Sequence, residues 1–142
     1  MHDPFDLQRF VAAQAPVMPQ VLRELAAGRK QSHWMWFVFP QLRGLGSSAM
    51  ATRYGIAGLA EAKAYLAHPL LGARLREGVG LVTAVPTRSA TEILGAVDAQ
   101  KFRSCLTLFA AADPTEPCFR AALDRFFDGE ADGRTLALLV GA

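Results

Sequence analysis

Apolar residues recur along this chain at the three- and four-residue spacing of helices that bury one face. Phe5, Leu7, Phe10 and Val11 follow Asp3-Pro4, the signature of an N-capped helix with proline at its first position, which must end before Pro16. Val17, Val21, Leu22 and Leu25 predict a second helix, stopped by Gly28 in a left-handed conformation. Ser32 is placed to cap a short helical turn through Trp36 that Pro40 interrupts. Residues 43–58, RGLGSSAMATRYGIAG, read as the longest irregular stretch, with a turn of helix near Ala49.

Leu59 to Ala67 reads as helical, and His68-Pro69 restarts a helix whose positions Leu70, Leu71, Leu75, Val79 and Val82 face a core. Ser89 and Glu92 have capping-box spacing ahead of a short helix that ends at Gly95. Asp98 is placed to cap the next helix, in which Phe102, Cys105, Leu106 and Phe109 share a face up to Asp113-Pro114. Phe119, Leu123, Phe126 and Phe127 mark another helix, closed by Asp128-Gly129, and Asp132 caps a last one over Leu136, Leu139 and Val140. No stretch alternates convincingly as a strand. The expected fold is all-α: one domain, 1–142, folded as a compact bundle of about six to eight short helices.

Composition supports a folded chain, with 51% hydrophobic and 20% charged residues over 142 positions. The uncharged runs, such as 31–42 and 104–112, fall well short of the roughly 20 residues that a spanning helix needs. The opening MHDPFDLQRF carries acids where an export signal carries positive charge, so the cytoplasm is the expected compartment. A net charge of +2, spread along the chain, gives no block suited to nucleic acid. Cys105 and Cys118 lack the spacing of a zinc site or a disulfide scaffold and read as reduced fillers. No metal and no cofactor is implied.

Candidate chemistry concentrates between Gly28 and Ser48. Ser32 to Pro40 packs four aromatics, one Met and one His into nine residues, more than one amphipathic face can bury. Packing as a core helix explains part of it, and an aromatic wall that stacks a planar ligand explains the rest. Arg29 and Lys30 precede this segment, and Gln41, Arg43, Gly44, Gly46, Ser47 and Ser48 follow it. Guanidinium groups, hydroxyls and glycine backbone N–H groups together suit a phosphate, although neither nucleotide-binding glycine fingerprint is present. A flexible connector is the alternative.

His33, among aromatics and beside cations, is a candidate proton carrier. Asp98 and Lys101, with Ser104 on the same helical face, form a second polar cluster able to meet the loop. The candidate catalytic residues are thus His33 and Asp98. The candidate ligand-binding residues are Lys30, Trp34, Trp36, Gln41, Arg43, Ser47, Lys101 and Ser104.

The stretches LQRFVAAQ, ELAAGRKQSHWMWFVFPQLRGLGSS, YGIAGLAEAKAYLAHPLLGARL, ILGAVDAQKFRSCLTLF and FFDGEADGRTLALL resemble the domain-of-unknown-function family 1810 over almost the whole chain. That resemblance implies a mainly helical bacterial domain and carries no established activity. More distantly, AHPLLGARLREGV followed by ATEILGAVDAQKF is similar to the NADAR superfamily, which acts on ADP-ribose-type N-glycosides. The tryptophan–glycine pair expected after the Asp does not occur here, and Glu61 and Glu92 are the candidates for its catalytic glutamate.

Two functions are therefore expected as alternatives. One is a small enzyme or sensor that binds a phosphorylated, nucleotide-type ligand. The other is a non-enzymatic interaction module or homodimer that uses the aromatic segment 33–39.

Overall fold

In a computed structural model that describes residues 2–141, the chain forms α1 Gln8–Gln14, α2 Met18–Ala26, α3 Met35–Val38, α4 Ala49–Arg53, α5 Leu59–Ala67, α6 Leu71–Ala84, α7 Ala90–Leu94, α8 Ala96–Ala112, α9 Pro117–Phe127 and α10 Gly133–Gly141. The protein is mainly helical, with ten helices among the described residues instead of six to eight. The excess lies in α3 and α4, whose four and five residues are too few to repeat an apolar face, whereas the equally short α7 is the helix that Ser89 and Glu92 mark.

The ends of the helices show which local signals acted. Asp3 serves the first helix from a distance. Its carboxylate accepts the N–H groups of Leu7 and Gln8 at 2.9 and 3.1 Å, across a turn with Asp6 at φ 52°, so α1 starts at Gln8. Gly28 ends α2 at φ 72°, and the Arg29 N–H reaches back to the Glu24 carbonyl at 3.0 Å.

His68 caps α6 by accepting the N–H groups of Leu70 and Leu71 on Nδ1, each at 3.2 Å. Ser89 and Glu92 complete the capping box of α7. Asp98 does not cap α8; it lies inside the first turn, and Gly95 precedes the helix at φ 91°. Asp132 caps α10, accepting the Thr135 N–H at 3.0 Å and the Thr135 hydroxyl at 2.6 Å.

The long helix α8 is the spine of the core, packed against α5, α7, α9 and α10. Phe102, Cys105, Leu106, Leu108 and Phe109 on it are fully buried. Leu71, Leu75, Val79 and Val82 of α6 join the same cluster, whereas Leu70 turns out to solvent. On α10, Leu139 packs partly while Leu136 and Val140 are exposed, so the last helix turns much of its apolar content outward. No helix of the described residues is long and apolar enough to cross a membrane.

The aromatic segment feeds this core. Trp34, Phe37 and Phe39 are buried, and Phe39 meets Phe102 edge-on at 5.0 Å. Trp36 alone of the four is only partly buried. The loop that follows returns on itself: the Arg43 N–H donates to the Ile56 carbonyl at 2.8 Å and the Ile56 N–H to the Gln41 carbonyl at 2.9 Å. These bonds make an isolated parallel bridge between Leu42 and Ile56. Inside it, the Ser48 hydroxyl caps α4 by accepting the Ala51 N–H.

Candidate functional site

Glu24, on the apolar face of α2, fixes the path of the chain from Gly28 to Trp34. Its carboxylate accepts the N–H groups of Gln31 and Ser32 at 2.9 and 3.1 Å, and the Ser32 hydroxyl at 2.5 Å. It also accepts the Trp34 indole N–H at 3.0 Å and the Gln20 amide at 2.8 Å. Burial alone would raise its pKa, but these donors outweigh burial and hold it down at about 2. Ser32 therefore serves Glu24 and not the start of a helix.

Lys30 then ties this segment to α8. Its N–H donates to the Ile93 carbonyl at 2.8 Å, and its ammonium donates to the Ser32 carbonyl at 2.6 Å. The same ammonium lies 2.9 Å from the Asp98 carboxylate and 4.9 Å from the centre of the Trp34 ring. Asp98 also faces the Lys101 ammonium, at 3.9 Å. Lys101 in turn sits 5.3 Å over the Trp36 ring, and no hydrogen-bond acceptor engages its ammonium among the described residues.

The first turn of α8 thus folds back onto the aromatic segment, and a crevice opens between them. Trp36, Gln41 and Lys101 line it together with Tyr54 and Gly55, and Met35 and Phe39 add apolar wall. The space open to the centre of a water molecule is only about 10 Å³, room for about one water. Of its lining groups Trp36, Gln41 and Lys101 are partly exposed.

The other candidate residues lie elsewhere, and Lys30 and Asp98, though paired nearby, do not line the crevice. Trp34 is 1% exposed, with its N–H spent on Glu24, so no face of it meets the crevice. His33 and Ser47 are exposed and line no part of the crevice. Ser104 is buried and donates to the Gln100 carbonyl and to Asp132, each at 3.2 Å.

Arg43 donates to the Gly55 carbonyl at 3.1 Å and lines a second, open groove with Arg9, Thr52 and Arg53. Glu61 pairs with Arg9 at 2.8 Å in the interior, and Glu92 is spent on its capping box. Neither glutamate lines the crevice.

Tyr54, Gly55 and Glu24 were not anticipated at the site. Glu24 carried a signal, since a lone carboxylate shares the helical face of Val21, Leu25 and Gly28. Gly55 is required by close approach, because a Cβ there would sit 2.8 Å from the Cα of Arg43.

Chemically, the crevice offers an indole face, a phenol, an amide and an ammonium beside a carboxylate. That set can stack a ring and pair with an anion. Among the described residues no cluster of three metal-binding side chains occurs. Burial pushes the Cys105 thiol up, and burial together with the Glu116 carboxylate raises Cys118 to about 11, so neither thiol is activated as a nucleophile.

The fold and crevice define a mainly helical protein with an aromatic, cation-bearing pocket beneath the start of its longest helix. Residues 4–139 match the family described as "Protein of unknown function (DUF1810)", and the chain belongs to that family. It is similar to the conserved hypothetical protein Rv1873 from Mycobacterium tuberculosis, known from a crystal structure. The two share 59% identity over 97% of this chain and 99% of that one, with a TM-score of 0.96. No curated protein matched the chain.

Proposed function

We propose that this protein is a small cytoplasmic enzyme or sensor, folded as one domain over 1–142, whose crevice takes the ring of a phosphorylated, nucleotide-type ligand. The observation that carries the reading is the placement of Lys101. Its ammonium stands 5.3 Å over the Trp36 ring and 3.9 Å from Asp98, without a hydrogen-bond acceptor among the described residues, and Lys101 lines a crevice that also holds Gln41 and Tyr54. An ammonium resting on an indole face is readily exchanged for a planar ring, and once released it can pair with the anion that the ring carries.

The crevice is narrower than the roughly 300 Å³ at which ligand pockets usually begin, so binding includes this displacement. In an enzyme of this kind Asp98, which lies outside the crevice lining but faces the Lys101 ammonium at 3.9 Å, is the carboxylate able to activate water or to stabilise an oxocarbenium-like state at an N-glycosidic bond. His33, exposed and outside the crevice, is the weaker candidate for that role.

Thermal-shift and Trp fluorescence titrations with NAD, ADP-ribose and AMP test the proposal, with chromatography of the mixtures to detect glycosidic cleavage. At least one compound is expected to raise the melting temperature of the wild type and to lose that effect in Lys101→Ala and Trp36→Leu. No shift for the wild type, or a shift kept in both variants, overturns it.

A second reading, self-association, is favoured by one observation away from the aromatic segment. The side chains of Leu136, Leu138 and Val140 on α10 are 44%, 41% and 87% exposed. Sedimentation at several concentrations separates the two readings, since association through α10 is abolished by Val140→Glu while ligand effects at Trp36 persist.

A further inference from the structure

An open groove is lined by Phe5, Asp6, Arg9, Arg43, Thr52 and Arg53, and two of these, Arg9 and Arg43, donate to the Gly55 carbonyl. Its volume is about 540 Å³, against about 10 Å³ for the crevice. We propose that this groove is a phosphate-binding site, in which Arg43 and Arg53, with the Thr52 hydroxyl, hold the phosphate end of the ligand whose ring occupies the crevice.

The charge balance of the groove supports this assignment. Arg9 spends all its donors on oxygens that would otherwise repel an anion. Its Nε donates to the Arg53 carbonyl at 2.9 Å, and Nη1 donates to the Phe5 and Asp6 carbonyls at 2.6 and 2.9 Å. Its Nη2 donates to the Gly55 carbonyl at 3.1 Å and pairs with Glu61 at 2.8 Å.

Arg9 and Glu61 cancel one another, and among the described residues Asp6 remains as the one acidic group lining the groove. Against it stand two exposed guanidinium groups. Among the described residues neither Arg43 nor Arg53 pairs with a carboxylate, and Arg43 commits one donor, to the Gly55 carbonyl. A planar guanidinium with free parallel N–H groups is matched to two phosphate oxygens, and a second one nearby suits the double charge of a phosphate or pyrophosphate.

Gly55 connects the two places. It lines the crevice on one side, and on the other its carbonyl accepts from both Arg9 and Arg43. Neighbours in sequence thus line both places, Tyr54 and Gly55 the crevice and Arg43, Thr52 and Arg53 the groove. The phosphate assignment rests on the crevice reading only for the identity of the attached ring.

Amide NMR titrations with inorganic pyrophosphate, adenosine and ADP-ribose test it at low salt. Pyrophosphate is expected to shift the Arg43 and Thr52 to Gly55 resonances in the wild type and in Trp36→Leu, and to lose that effect in Arg43→Gln/Arg53→Gln. The double variant should weaken ADP-ribose binding by about tenfold or more and leave adenosine unchanged. Arg53→Gln alone, at an exposed position, gives a smaller loss and guards against misfolding.

Pyrophosphate that leaves these amides unmoved, or that binds the double variant as well as the wild type, overturns the phosphate site. If pyrophosphate binds as expected but neither adenosine nor ADP-ribose perturbs Trp36, the groove stands and the crevice reading fails.

Discussion

The Lys30 ammonium stands 2.9 Å from the Asp98 carboxylate, and this pair, 7% and 20% exposed, joins the segment after α2 to the first turn of α8. Removing one partner leaves the other charge largely buried, which costs more than the pair itself contributes. Asp98→Asn is expected to lower stability by about 2–3 kcal/mol. Lys30→Met combined with Asp98→Asn should recover part of that loss, as urea denaturation of the three proteins will show. Additive effects would mean that the two charges do not depend on each other.

Glu24 predicts a pH dependence. Its carboxyl is held at about 2 when folded, against 4.5 for the free group. A folded pKa below the unfolded one means that the carboxylate stabilises the fold above about pH 4.5, and that this contribution fades as pH falls toward 2. Glu24→Gln should therefore be less stable than wild type by about 2–3 kcal/mol at neutral pH. The gap should close between pH 4.5 and 2, which denaturation curves across that range would reveal.

Gly55→Ala places a methyl group 2.8 Å from the Cα of Arg43 and 2.9 Å from the Ala51 carbonyl oxygen, both backbone atoms. Neither can yield without opening the bridge between Leu42 and Ile56. The expected cost is about 1–3 kcal/mol, with faster amide exchange at Arg43 and Ile56. Unchanged exchange at those two amides would show that the bridge is looser than its 2.8 and 2.9 Å bonds indicate.

Asp132 holds α10 to α8, since its carboxylate accepts from Ser104 and Gln100 as well as from Thr135. Asp132→Ala should cost about 1–2 kcal/mol through the lost cap alone. Hydrogen exchange should rise across α10 well before it rises in α8. Equal changes in both helices would indicate that α10 does not open separately.

The helices that were plain in the sequence are those whose apolar spacing and end signals agree. Leu59 to Ala67 has the bounds of α5, and Gly28, Ser89, Glu92 and Asp132 all act at the helix ends they mark. Asp98 and Ser32 misled because each is a good cap by type but found a stronger partner in three dimensions, Lys30 in one case and Glu24 in the other. No local spacing encodes such pairings.

The site was legible in its halves. Trp36, Gln41 and Lys101 come together as polar and aromatic residues around one crevice, while Trp34 sinks into the core because Glu24 satisfies its indole N–H. The place of Tyr54 and Gly55 depends on the loop turning back to pair Leu42 with Ile56, a contact that no periodicity announces.

That same bridge makes residues 43–56 a closed lobe whose two stems are bonded to each other at the base. A protease that cuts at the exposed Gly44 or Ser47 would sever the chain without releasing either end. The nicked protein should run as one species in a native gel and separate into two fragments only when denatured.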